Sequence, residues 1–160
     1  MNLSRKVTHA AIASFISVTG IVALSAPASA YDVQKCGSTQ HLSPDTPGVN
    51  VDLWVTPCVQ RTGSSSRAVL TFEWLHGNGE VNDYDWLEVI ARLERNDAWI
   101  ETSACNITGP VNNNYSGTYN CITAYHSGTG YTADGKVNYD INNDGKGMRS
   151  PWELSGSPTL

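Results

Sequence analysis

The run Asp140-Ile141-Asn142-Asn143-Asp144-Gly145 places oxygen ligands at alternate positions and then a glycine. That is the first half of a calcium loop, in which side-chain oxygens converge on a hard cation and glycine permits the sharp bend. Asp140, Asn142 and Asp144 are therefore the candidate metal ligands, and structural calcium is the one cofactor the chain suggests. The second half of the loop departs from the pattern. A bidentate Glu is required at loop position twelve, where Pro151 stands, and Glu153 comes two residues late. A hairpin turn needs the same Asn, Asp and Gly residues for backbone reasons, because they adopt positive φ readily. The turn is the plainer reading.

A second acidic group, Glu80, Asn82, Asp83 and Asp85, follows Gly77-Asn78-Gly79. It could bind a cation or position a substrate hydroxyl, but a solvated loop has the same composition. Carboxylate pairs that cleave glycosides stand about 5–10 Å apart, and spacing alone cannot supply that separation for Glu73, Asp85 or Glu88. His41, His76 and His126 are dispersed, with no HxxxH pair, no GxSxG elbow and no phosphate-binding glycine loop. His76 reads as a strand-end residue beside a turn. A carboxylate-dependent hydrolase is the enzymatic alternative, and it would need Glu80, Asp83 and Asp85 to gather around a histidine.

Trp54 and Trp86 carry the binding expectation. Each alternates with polar neighbours, Trp54 with Asn50 and Asp52, and Trp86 with Glu88 and Arg92. An exposed indole beside hydrogen-bonding groups suits a sugar ring or a protein partner. Large indoles also serve to cover a sheet's outer face. Trp74, on the apolar side of its segment, reads as core. The function class these residues favour is a non-catalytic binding module for an extracellular carbohydrate or protein ligand. A small protease inhibitor is the other binding role, with Ile107 to Tyr119 as its exposed loop. Asn106-Ile107-Thr108 and Asn114-Tyr115-Ser116 match the glycosylation sequon and otherwise read as loop residues.

The rest of the chain bounds these readings. Arg5 and Lys6, the uncharged apolar stretch Ala10 to Leu24, and Ala28-Ser29-Ala30 form a secretory signal ending before Tyr31. Ser14, Ser17, Thr19, Gly20 and Pro27 interrupt the stretch, so no membrane span is expected. Residues 31–160 then form one domain of ordinary size. The whole chain has a net charge of −5, and loss of Arg5 and Lys6 makes it more negative by two. With no basic cluster, nucleic acid is not an expected partner. A secreted monomer is.

Four cysteines in an exported chain read as two disulfides. Cys36–Cys58 and Cys105–Cys121 are favoured, because each pair is close in sequence and confined to one half of the chain. Metal ligation fits poorly, since there is no CxxC spacing.

The elements that must position these residues alternate with period two. Val49, Val51, Leu53 and Val55 mark one strand, and Ala68, Leu70, Phe72 and Trp74 mark a second after the loop Gly63-Ser64-Ser65-Ser66. Val137, Tyr139 and Ile141 mark a late strand. Ser116 to Tyr125 is strand-like by composition. Residues 84–94 fit both helical and strand spacing. The break Arg95-Asn96-Asp97-Ala98, followed by Trp99-Ile100-Glu101-Thr102, favours a hairpin over a helix. Tyr31–Thr46 and Gly156–Leu160 lack patterning and are expected to be loosely held. The fold class is all-β, an antiparallel β-sandwich of immunoglobulin-like architecture.

The run Tyr139 to Gly147, then Trp152 to Pro158, with Trp99 and the Cys105…Cys121 segment, resembles the tail of small secreted actinobacterial proteins of uncharacterised function. The likeness covers about the last half of the chain. It implies a secreted β-sandwich and transfers no catalytic residues.

Overall fold

The computed structural model describes residues 32–46, 50–77, 83–142, 145 and 150–160. Residues 1–31, 47–49, 78–82, 143, 144 and 146–149 lie outside this set.

Two antiparallel sheets pack as a sandwich. The first contains β1 (Val33–Cys36), β2 (Gln40–Leu42), β3 (Val51–Thr62), β4 (Ser65–His76), β7 (Ser116–Ile122) and β8 (His126–Ser127). Its path is β1-β3-β4-β7, with β2 paired to β3 and β8 to β4. The second contains β5 (Tyr84–Arg95), β6 (Ala98–Asn106), β9 (Tyr131–Ile141) and β10 (Ser150–Glu153), ordered β10-β9-β5-β6. A single turn of helix, α1 (Thr108–Asn113), links β6 to β7.

Alternation explains the sandwich. Val51, Leu53 and Val55 on β3 and Leu70, Phe72 and Trp74 on β4 face Leu87, Val89, Ala91 and Val137 of the other sheet, all buried. Each fully buried side chain of this kind contributes about 1.5–3 kcal/mol, so this layer outweighs either disulfide. Gly135 marks the closest approach of the sheets, because a Cβ there would strike the Ile90 carbonyl and the Leu70 side chain.

The turns follow the local chemistry. Gly63 (φ +57°) opens the two-residue connection between β3 and β4. Asn96 and Asp97 both have positive φ, 52° and 60°, as a type I′ hairpin turn requires. Residues 84–94 are therefore strand, and the helical option for them is excluded. The expected loop after Gly63 is shorter than its serines suggest, since Ser65 and Ser66 already pair in β4.

Both chain ends correct the expectation of loose attachment. The amide of Asp32 donates to Arg61, and Gln40 exchanges two hydrogen bonds with the Ser155 backbone. Leu154, Ser157 and Leu160 donate amides to Gly135, Ala133 and Tyr131, which carries the tail along β9. Apart from the Gln40 side chain, these contacts are main-chain in origin, and all of them join segments distant in sequence, so side-chain alternation carries no trace of them. Pro57 sits mid-strand where β1 and β2 separate, its carbonyl accepting the Gly37 amide.

The disulfides are Cys36–Cys58 and Cys105–Cys121, with no free cysteine among the described residues. The first spans directly paired positions of β1 and β3. The second joins β6 to β7 and so links the two sheets at one edge. No helix among the described residues is long and apolar enough to cross a membrane. The two disulfides fit an oxidising extracellular location.

Candidate ligand-binding face

Strand register sets one row across the outer face of the first sheet. His41 on β2 lies opposite Trp54 on β3, Trp54 opposite Glu73 on β4, and Glu73 opposite Thr118 on β7. The imidazole of His41 stacks on the indole, with ring centroids 5.1 Å apart and planes 22° from parallel. His41 is held in turn by Asp52, Nε2 to Oδ1 at 2.7 Å. One side of the indole is thus occupied by His41. An open groove of about 450 Å³ lies on the β4–β7 side, lined by Thr39, Trp54, Glu73, Trp74, Ser116, Gly117 and Thr118.

The polar groups around the groove divide into paired and unpaired. Thr39 and Thr56 share a hydroxyl hydrogen bond of 2.7 Å, and Thr71 donates to Asn120 Oδ1 at 2.9 Å. Glu73, exposed on the central strand, has no ion-pair partner among the described residues. Gly117 shapes the far wall. A Cβ there would enter the six-membered ring of Trp74, whose Nε1 donates to the Asn114 carbonyl at 3.0 Å. We expect Gly117→Val to dislodge Trp74 and lower stability by about 1–3 kcal/mol. Urea denaturation, with near-ultraviolet circular dichroism of the indoles, measures both effects.

Trp86 lies on the opposite outer face, paired by register with Asp140 on β9. The two candidate indoles therefore cannot contact one ligand ring system together. The Trp86 face is also electrically closed. Arg92 reaches Glu94, Asp134 and Glu153 at 3.4–3.6 Å and lies over the ring of Trp99, 5.0 Å from its centroid. Burial, then the nearby Asp134 charge, holds the Glu94 carboxyl above its usual range against the opposing pull of Arg92.

The acidic candidates scatter. Asp83, expected in a solvated loop, is buried, its Oδ2 bonded to His76 Nδ1 at 2.8 Å. His76 Nε2 faces the Val111 carbonyl at 3.0 Å. Asp85 is exposed, and Glu80 and Asn82 lie outside the described residues, so no cluster around a histidine is observed there. Asp140 is the penultimate residue of β9, the Asn142 amide donates to the Asp83 carbonyl at 2.8 Å, and Asp144 lies outside the described residues. Gly145 has φ +74°, the conformation a turn asks of glycine. Among the described residues, no three His, Cys, Asp or Glu side chains group as metal ligands.

The proposed inhibitor loop also takes another form. Ile107 and Val111 are fully buried and 108–113 is helical, so this stretch is not the exposed extended loop expected of it. Of the groove residues, alternation placed Trp54 on an outer face. It missed His41, Thr39, Ser116 and Thr118 because their proximity depends on pairing between separate strands.

No match to a known protein family, a curated protein or a solved structure was found for this chain.

Proposed function

We propose that this is an exported, non-catalytic binding module whose outer β2-β3-β4-β7 face holds an extracellular saccharide, with Trp54 as the stacking platform. The observation that carries this reading is the support of the indole. His41 and Asp52 hold it from one side, while its other side borders a groove rimmed by a carboxylate and hydroxyls. A rigid aromatic loses little conformational freedom on binding, and an apolar sugar face packs against it while hydroxyls hydrogen-bond the rim. The open groove suits one surface of a chain-like ligand better than a fully enclosed small molecule.

The expected result is retention of the protein on an insoluble polysaccharide, with Trp54→Ala weakening binding by about thirtyfold, the loss typical of a central aromatic anchor. Trp86→Ala, on the opposite face, is expected to retain binding. Equal retention of Trp54→Ala and the unsubstituted protein would remove this face from consideration. A protein ligand on the same face would give Trp54-dependent capture without any polysaccharide retention.

A further inference from the structure

We propose that the saccharide is cationic, carrying free amino groups, and that Glu73 is the residue selecting it. This rests on the saccharide reading and narrows it to a chemical class.

The argument starts from the surroundings of one carboxylate. Glu73 stands on β4, at the centre of the face, between Trp54 on β3 and Thr118 on β7. Its diagonal neighbours in the ladder are Asp52 and Thr56 on one side and Ser116 and Asn120 on the other. None is a cation and one is a second carboxylate. The groove lining holds no Lys or Arg. His41 is separated from Glu73 by the indole and is engaged with Asp52. The Glu73 charge is therefore uncompensated among the described residues, in contrast to the Trp86 face, where Arg92 and Lys136 meet the carboxylates.

Three ligand charges have different consequences. An anionic sugar would meet Glu73 and Asp52 in a chain already at net charge −5 and be repelled. A neutral sugar can donate hydroxyls to the carboxylate, but it removes water from a charge and leaves that charge in place. A protonated amine supplies the missing opposite charge and a stronger hydrogen bond, and it is attracted to the face of the adjacent indole as well. A carboxylate beside a tryptophan ring, with no competing cation, favours the third ligand.

The experiment is calorimetric titration with three probes of equal length: β-1,4-linked glucosamine oligomers, their fully N-acetylated counterparts and β-1,4-linked glucose oligomers. Mildly acid buffer keeps the sugar amines protonated, and two salt concentrations are used. The amine-bearing oligomer is expected to bind about tenfold more tightly than either neutral one at low salt, with the margin shrinking at high salt. Glu73→Gln should abolish the margin, bringing the amine-bearing oligomer to the affinity that the same variant shows for the neutral ones. Glu73 is exposed, so this variant keeps the fold, which circular dichroism verifies.

Equal affinity for amine-bearing and neutral oligomers overturns the inference, and Trp54-dependent binding of both would leave the saccharide reading standing. A margin that survives in Glu73→Gln also overturns it, assigning the preference to overall acidity. Failure of all three probes to bind removes both readings.

Discussion

Asp83→Ala is expected to destabilise the protein by about 3–5 kcal/mol, the effect of removing one partner from a buried ion pair. The His76 side chain is 1% exposed and that of Asp83 7%. Each ring nitrogen faces an acceptor, Asp83 Oδ2 at Nδ1 and the Val111 carbonyl at Nε2. Both contacts are hydrogen bonds whether the shared proton sits on Nδ1 or on the Asp83 carboxyl, and in either form the ring depends on Asp83 for one of its two partners. Without Asp83, the ring must either remain charged and unpaired or lose one of its two bonds. The pair also joins the end of β4, the start of β5 and the α1 carbonyls, so its loss loosens all three. The measurement is the urea midpoint of the variant against the unsubstituted chain. A paired replacement, His76→Leu with Asp83→Leu, is expected to recover most of the loss, because no charge is then left buried. A loss below about 1 kcal/mol for the single change would contradict this assignment.

Replacing both Cys105 and Cys121 by alanine is expected to cost about 3 kcal/mol, lowering the melting temperature by roughly 10 °C. The sequence separation is 16 residues, and opening the loop returns conformational freedom to the unfolded chain. A further loss arises in the folded state. Cys121 is fully buried and packs within the main apolar cluster, so the smaller side chain leaves space behind. Cys36–Cys58 closes a slightly longer separation of 22 residues, yet Cys36 is exposed and the bridge spans strands already paired. Its removal is expected to cost less in total. Thermal unfolding of the two double variants, followed by circular dichroism, checks both the size and the order.

The contrast between these bridges shows what side-chain patterning can reveal. Cysteine number and proximity indicated both pairings, and alternation indicated the apolar faces of β3, β4 and β9, because each is a local property. Asn96-Asp97 announced its turn for the same reason. The helix α1 was not legible. Thr108-Gly109-Pro110 reads as a turn, and only Val111 supplies an apolar anchor within it. Pro110 is tolerated in the first turn, where its missing amide hydrogen is not needed. Asp83 was misread because acidic loop composition is blind to a buried imidazole seven residues earlier. The site was half legible. Trp54 stood out by its polar neighbours, but Glu73 gained meaning only once register placed it beside that ring, and the same register carried Trp86 to the far face.

The position of β9 has a consequence for synthesis. This strand lies inside its sheet, pairing with β5 along nearly its whole length and with β10 on its other side. A chain emerging from the ribosome can form the β3–β4 and β5–β6 hairpins early, since both are local. The second layer nevertheless keeps a bare inner edge until residue 141 has been made. Closure is therefore a late event dominated by distant contacts, which fold slowly.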